Sequence, residues 1–176
     1  VVADDSPERY RDIVTKTLTA LFLAVAAATC AAEAPSSAPL FAATLRDLQD
    51  RPAALSRYQG RPLVVNFWAR WCAPCRAEIP ELLRFREAHK GKIEVIGIGI
   101  EDQADAAREF ARANNMDYPV LVAGDQGIPL MQALGNTRGG LPYTLFIDAR
   151  GQVVGSKLGL IRQPDLDAAA GRLLGR

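Results

Sequence analysis

The chain has 176 residues, 49% hydrophobic and 23% charged, with 21 basic against 20 acidic side chains. That is a globular composition, and the length suits one domain with a short appendage. The charge balance, without a basic block, argues against nucleic acid as a partner, because phosphate binding needs clustered Lys and Arg. Three cysteines are too few for a disulfide scaffold, and with one histidine, His89, they are a poor start for a zinc site.

Thr17 to Ala32 is free of charge, follows Lys16, and leads through Ala32-Glu33-Ala34 into Pro35-Ser36-Ser37-Ala38-Pro39. A basic residue, a short apolar run and small residues at an A-x-A cleavage point form the pattern of a secretory signal peptide. The run is short for a spanning helix, which needs about 20 residues, so an uncleaved anchor is the second reading. Ala27-Ala28-Thr29-Cys30 resembles a bacterial lipoprotein box, although Thr before the Cys is atypical. Four acids and three bases before Thr17 are the wrong charge for a leader, and a start at Val14 would restore the pattern. The expected organisation is an export signal or anchor over 1–34, a linker over 35–39, and a folded domain over 40–176.

Leu40 to Leu45 reads as a strand, Asp47 to Pro52 as a turn, and Ala53 to Leu55 as the return arm of a hairpin. Ser56 is a candidate N-cap for one turn ending at Gly60. Leu63 to Trp68, β-branched and aromatic, is expected to be a strand buried on both faces. Residues 72–90 take helical spacing, closed by Lys90-Gly91. Ile93 to Ile100 is a second buried strand, Gln103 to Asn114 a helix, Val120 to Val122 a short strand, and Ile128 to Leu134 a short helix. Tyr143 to Ile147 and Val153 to Leu158 are strands joined by a tight turn at Asp148-Ala149-Arg150-Gly151. Pro164, with Asp165 and Asp167, opens a last helix to Leu174. The order predicts an α/β sandwich whose sheet mixes parallel crossovers with an antiparallel hairpin.

Once residues 1–34 are set aside, only Cys72 and Cys75 remain as thiols. They fall where a buried strand gives way to a helix. A C-x-x-C at a helix N-terminus places the first sulfur where unpaired N–H groups and the dipole favour an anion. The thiolate is the nucleophile of disulfide exchange, and such placement lowers its pKa from about 8.5 toward the 3.5–7.5 range. Cys75, one turn on, is placed to attack a mixed disulfide at Cys72. The competing readings are weaker: zinc wants four ligands and only His89 is left, and a static disulfide closing so small a loop stabilises little.

Val65-Asn66-Phe67-Trp68-Ala69-Arg70-Trp71-Cys72-Ala73-Pro74-Cys75-Arg76-Ala77-Glu78-Ile79-Pro80 resembles the active-site segment of the TlpA/ResA-like thioredoxin-fold thiol–disulfide oxidoreductases. Gly139-Gly140-Leu141-Pro142-Tyr143-Thr144-Leu145-Phe146-Ile147-Asp148 is similar to their second signature. The resemblance spans roughly Leu40 to Arg176. It implies a thioredoxin fold with an N-terminal β-hairpin and an inserted strand/helix segment before the cis-proline. It implies Cys72 as exposed nucleophile, Cys75 as resolving thiol and Pro142 as the cis-proline facing them. Trp71 and Leu141 are the expected substrate-contacting residues, with Trp68 in the core.

Asn66 stands where thioredoxins proper carry a buried Asp. Glu78 matches a carboxylate that the TlpA/ResA-like branch places beside the cysteines, where it would shuttle the Cys75 proton; the alternative is a solvated helix acid. Glu101 is a second candidate acid. Pro80 matches the family's mid-helix kink proline, and His89 reads as surface decoration.

The resemblance implies an exported enzyme in the periplasm, or anchored facing it, that reduces protein disulfides and is re-reduced by a membrane electron-donor protein. Its clients would be apocytochrome c or copper-handling cysteines. No cofactor, metal or nucleic acid is expected, and a monomer is. The alternatives are a disulfide oxidant, a non-catalytic binding module that docks through Trp71 and Leu141, and a thiol peroxidase. The peroxidase motif P-x-x-x-T-x-x-C is broken at Val65 and Ala69.

Overall fold

The computed structural model describes residues 36–100 and 103–175. The expected export segment over 1–34, with Cys30, lies outside the described residues. From Ser36 onward the expected linker is tied to the domain: Ser36 bridges Gln152, and the Ser37 hydroxyl donates to the carbonyl of Gly151.

The described chain runs through α1 (Ala38–Ala42), β1 (Thr44–Asp47), β2 (Pro52–Ala54), a 3-10 turn (Leu55–Tyr58), β3 (Leu63–Trp68), α2 (Ala73–Ala88) and β4 (Glu94–Gly99). It continues with α3 (Ala104–Ala113), β5 (Val120–Val122), a 3-10 turn (Gly124–Gln126), α4 (Gly127–Ala133), β6 (Tyr143–Ile147), β7 (Val153–Leu158) and α5 (Gln163–Leu173). One expectation fails at the start, where Leu40 opens no strand. Pro39 occupies the first helical turn, whose amide needs no intrahelical partner and whose φ proline already has. The strand begins only at Thr44.

Seven strands form one sheet in the order β2-β1-β5-β4-β3-β6-β7. β3 pairs parallel with β4 and antiparallel with β6, so the C-terminal end of β3 and the N-terminal end of β6 share one end of the sheet. β1 and β2 are antiparallel partners at the far edge. The segment inserted between β4 and Pro142 supplies α3, β5 and α4, and β5 fills the place between β4 and β1.

Side chains alternate across β3 with the period of two that a pleated strand imposes. Leu63, Val65 and Phe67 join the apolar layer under α1 and α4. Val64 and Trp68 join the opposite layer, which contains residues of α2, α3 and α5. Asn66 lies between Val64 and Trp68 and is therefore the polar side chain on the α2 face. On β4, Gly97 and Gly99 clear space for the Trp68 indole, since a Cβ at either would come within 3.1 or 3.2 Å of that ring. Trp68 stacks on Phe110 with centroids 4.8 Å apart.

Candidate active site

β3 delivers the chain to the cysteines and α2 receives it. Cys72 is the N-cap of α2, with extended backbone (φ −82, ψ 100), and its sulfur accepts from the Cys75 amide at 3.2 Å. Pro74 sits in the first turn. Cys72 and Cys75 form a disulfide, S–S 2.03 Å, Cα–Cα 5.3 Å. Cys72, expected to be exposed, is only 5% accessible, because the sulfur folds back over the helix start; Cys75 is 1% accessible. On reduction, the amide that now bonds the Cys72 sulfur is available to a thiolate there.

The buried stripe of α2 is Cys75, Glu78, Ile79, Leu82 and Phe85. Spacings of three and four residues put these on one face. Glu78 is fully buried, so the solvated-acid alternative is overturned. Its Oε1 accepts from Asn66 Nδ2 at 2.7 Å, and its Oε2 from the Ile161 amide at 3.0 Å. The second Asn66 amide hydrogen goes to Thr144 Oγ1 at 3.0 Å. Asn66 and Thr144 are register partners across β3 and β6, and their side chains meet on the α2 face. Burial pushes the Glu78 carboxyl up to about 7 against the opposing pull of the Ile161 and Asn66 donors.

Thr144 and the Ile161 amide were not among the expected site residues. A strand threonine reads as β-propensity, and a backbone amide leaves no trace in sequence. The stripe Cys75, Ile79, Leu82 was the available signal that Glu78, one residue from Ile79, faces inward.

Leu141–Pro142 is a cis peptide bond, with Pro142 buried and Leu141 half-buried against both apolar layers. The β3–β6 register pairs Phe67 with Tyr143, so the residues before Tyr143 lie beside those that follow Phe67 and lead to Cys72. Trp71 is 71% exposed, while Trp68 is buried as expected. The α2 helix continues through Pro80, which is exposed. His89 caps the end of α2 and packs on Phe85 with centroids 4.4 Å apart. Glu101 lies outside the described residues. Among the described residues no group of three or more His, Cys, Asp or Glu is placed to hold a metal ion.

Residues 35–156 match the family model described as AhpC/TSA. The chain belongs to the AhpC/TSA family. The thiol–disulfide oxidoreductase ResA of Geobacillus thermodenitrificans is 29% identical over 132 residues, covering 74% of this chain and 72% of that protein. ResA of Bacillus anthracis is 30% identical over 123 residues, 69% and 68% of the two chains. Among solved structures, a thioredoxin-family thiol:disulfide interchange protein of Chlorobium tepidum superposes with TM-score 0.66 at 27% identity, covering 81% of this chain and 95% of that one. A secreted Mycobacterium tuberculosis disulfide oxidoreductase homologous to E. coli DsbE gives TM-score 0.62 at 25% identity, with coverage of 76% and 97%. This member of the AhpC/TSA family thus has a thioredoxin fold and is a thiol–disulfide oxidoreductase of the ResA/DsbE type. Where a thiol peroxidase would hold Pro and Thr, it has the fully buried apolar side chains of Val65 and Ala69.

Proposed function

We propose that the protein is an exported reductase of protein disulfides, with Cys72 as nucleophile, Cys75 as resolving thiol, Glu78 as proton carrier and Pro142 beside the client. The observation that carries this reading is the Cys72–Cys75 pair at the start of α2, with the buried acid Glu78 one turn along the same face. In the reduced enzyme the Cys72 thiolate attacks a client disulfide. A Cys72–client S–S bond forms, the client S–S bond breaks, and one client thiolate leaves. Cys75 passes its proton to ionised Glu78 and attacks the Cys72 sulfur, releasing the second client thiolate. The client gains two electrons and the Cys72–Cys75 disulfide is restored. A membrane electron-donor protein then returns the pair to the dithiol.

Export rests on the apolar run from Thr17 to Ala32 and on relatives such as the secreted Mycobacterium protein. The domain acts as a monomer over 40–176, held at the membrane by an uncleaved signal or a lipid on Cys30, or released into the periplasm.

The deciding experiment is a thiol-buffer titration of the Cys72–Cys75 potential, paired with disulfide-reduction assays of wild type and Cys72→Ser. A potential near about −270 mV, thioredoxin's value, is expected of a reductase, and one near about −120 mV would make the protein a disulfide donor. Cys72→Ser is expected to lose reduction to background. Full activity in that variant would sink the assignment of the nucleophile.

A further inference from the structure

The large hydrophobic side chains exposed among the described residues are Trp71, Leu158 and Ile128, at 71%, 53% and 40%. All three border one end of the sheet. Trp71 precedes Cys72. Leu158 ends β7 as the register partner of Tyr143, which follows Pro142. Ile128 belongs to α4, in the inserted segment, and reaches the same place: a Cβ on Gly139 would come within 3.4 Å of its Cγ2. A Cβ on Gly140 would come within 3.1 Å of Leu158 Cδ1. Ile128 and Leu158 therefore each lie on one of the two glycines that lead into Leu141-Pro142.

The strip between them is held from below. Asn136, 4% exposed, donates from Nδ2 to the Gly140 carbonyl at 2.7 Å and accepts from the Gly140 amide at 3.3 Å. Both main-chain groups of Gly140 are thus already paired. A polypeptide laid over this strip finds no backbone ladder at Gly140; what it meets is apolar side chain. Large apolar side chains exposed beside a reactive pair, with no other large hydrophobic side chain exposed among the described residues, mark a contact surface. The covalent chemistry names its occupant, since whatever exchanges a disulfide with Cys72 must lie across this end of the sheet.

We propose that Ile128 and Leu158 determine specificity, so that the preferred client is an extended segment whose reactive cysteine is flanked by aliphatic or aromatic side chains. The proposal rests on the oxidoreductase reading and deepens it. The test uses reduced wild-type protein and two disulfide-linked peptides, identical except that the residues flanking the cysteine are Leu and Val in one and Ser and Asn in the other. Hydroxyethyl disulfide serves as the small reference substrate. Wild type is expected to favour the apolar peptide by about tenfold or more in the second-order rate constant of this single turnover, the scale on which an apolar pocket discriminates. The preference is expected to collapse in the Ile128→Ser/Leu158→Ser double variant and to survive in Ile128→Val/Leu158→Met. Unfolding midpoints confirm that all three proteins are folded.

Equal rates on the two peptides in wild type, or an undiminished preference in the serine variant, would overturn the proposal. A wild-type dimer that the serine variant dissociates assigns the patch to a second copy and overturns it too. Failure of wild type to reduce even hydroxyethyl disulfide defeats the oxidoreductase reading itself, a result distinct from lost selectivity.

Discussion

Glu78 and Asp148 are both shut away from solvent, at opposite ends of β6, and the protein treats them in opposite ways. Asp148 sits in the β6–β7 turn. Its Oδ1 accepts from the amides of Arg150 and Gln152 at 2.9 and 2.8 Å, and its Oδ2 from the Arg150 guanidinium at 3.0 and 3.1 Å. Burial raises its pKa, but the Gln152 amide and the Arg150 side chain outweigh that and hold it below the ordinary carboxylate range. Glu78 is given two neutral donors, and burial wins, taking it to about 7. One acid is kept charged to fix a turn. The other is left near neutrality one turn beyond Cys75 on the same face of α2, the position that the proposed role of proton carrier requires.

The largest expected effect comes from adding a second charge to the Glu78 site. Asn66→Asp puts a carboxylate where the 2.7 Å donor to Glu78 now stands. Two carboxylates at that range share a proton and resist full ionisation. Relative to wild type, the variant is expected to lose about 3–5 kcal/mol at pH 8, the scale of an uncompensated buried charge, and much less at pH 4. Urea unfolding at the two pH values measures this, and an equal loss at both would mean that Asn66 acts by shape alone.

Glu78→Gln tests the same site from the other side. A carboxyl whose folded pKa is raised from 4.5 to about 7 binds more protons folded than unfolded, so wild-type stability falls as pH rises between those values. The fall amounts to about 3 kcal/mol. Gln can still accept from Asn66 but can leave the buried Ile161 amide unpaired, costing about 1–3 kcal/mol. The variant is thus expected to be less stable below pH 4.5, with the gap closing toward pH 7. A gap that stays constant across this range would remove the raised pKa.

Asp148→Asn should run the opposite way. A depressed carboxyl contributes stability above its unfolded value of 3.8 and loses it as pH falls through the folded value. The loss at pH 7 is expected to be about 1 kcal/mol, typical of an Asp accepting backbone amides at a turn or cap, and to vanish in acid. A loss that persists at low pH would mean that the amide cannot serve the turn geometry even when the acid is neutral.

The two ends of β6 were also unequally legible. Asp148-Ala149-Arg150-Gly151 announces its turn through local residues, and Cys72-Ala73-Pro74-Cys75 announces its chemistry through spacing. From β3 onward the strands came through almost residue for residue, because compact runs of β-branched and aromatic residues mark them, whereas β1 did not. What did not come through was long-range. Asn66, Thr144, Glu78 and Ile161 converge from β3, β6, α2 and the loop before α5, and nothing local tells Thr144 which neighbour it will meet. The patch of Ile128 and Leu158 was invisible for the same reason, since each reads as an ordinary apolar residue of its own element. Leu40-Phe41-Ala42-Ala43 is an unbroken apolar run that shows neither the strand nor the helix period, and the fit of Pro39 to a first helical turn decides for helix.

The smallest effect is expected at Arg150, and it sharpens the contrast most cheaply. Arg150 is 77% exposed while its partner Asp148 is 8% exposed, so the ion pair lies half in water. Removing the guanidinium leaves both amide donors on Asp148 Oδ1 in place. Arg150→Ala is therefore expected to cost less than about 1 kcal/mol, shrinking further as salt screens the pair. The Asp148 pKa should rise once the guanidinium is gone, while the Arg150 and Gln152 amides on Oδ1 should still oppose the upward push of burial. NMR titration of the Asp148 carboxyl in wild type and Arg150→Ala reads this directly. A full return to the ordinary value would place the work in the charge, and Asp148 would then differ from Glu78 only in having a cation.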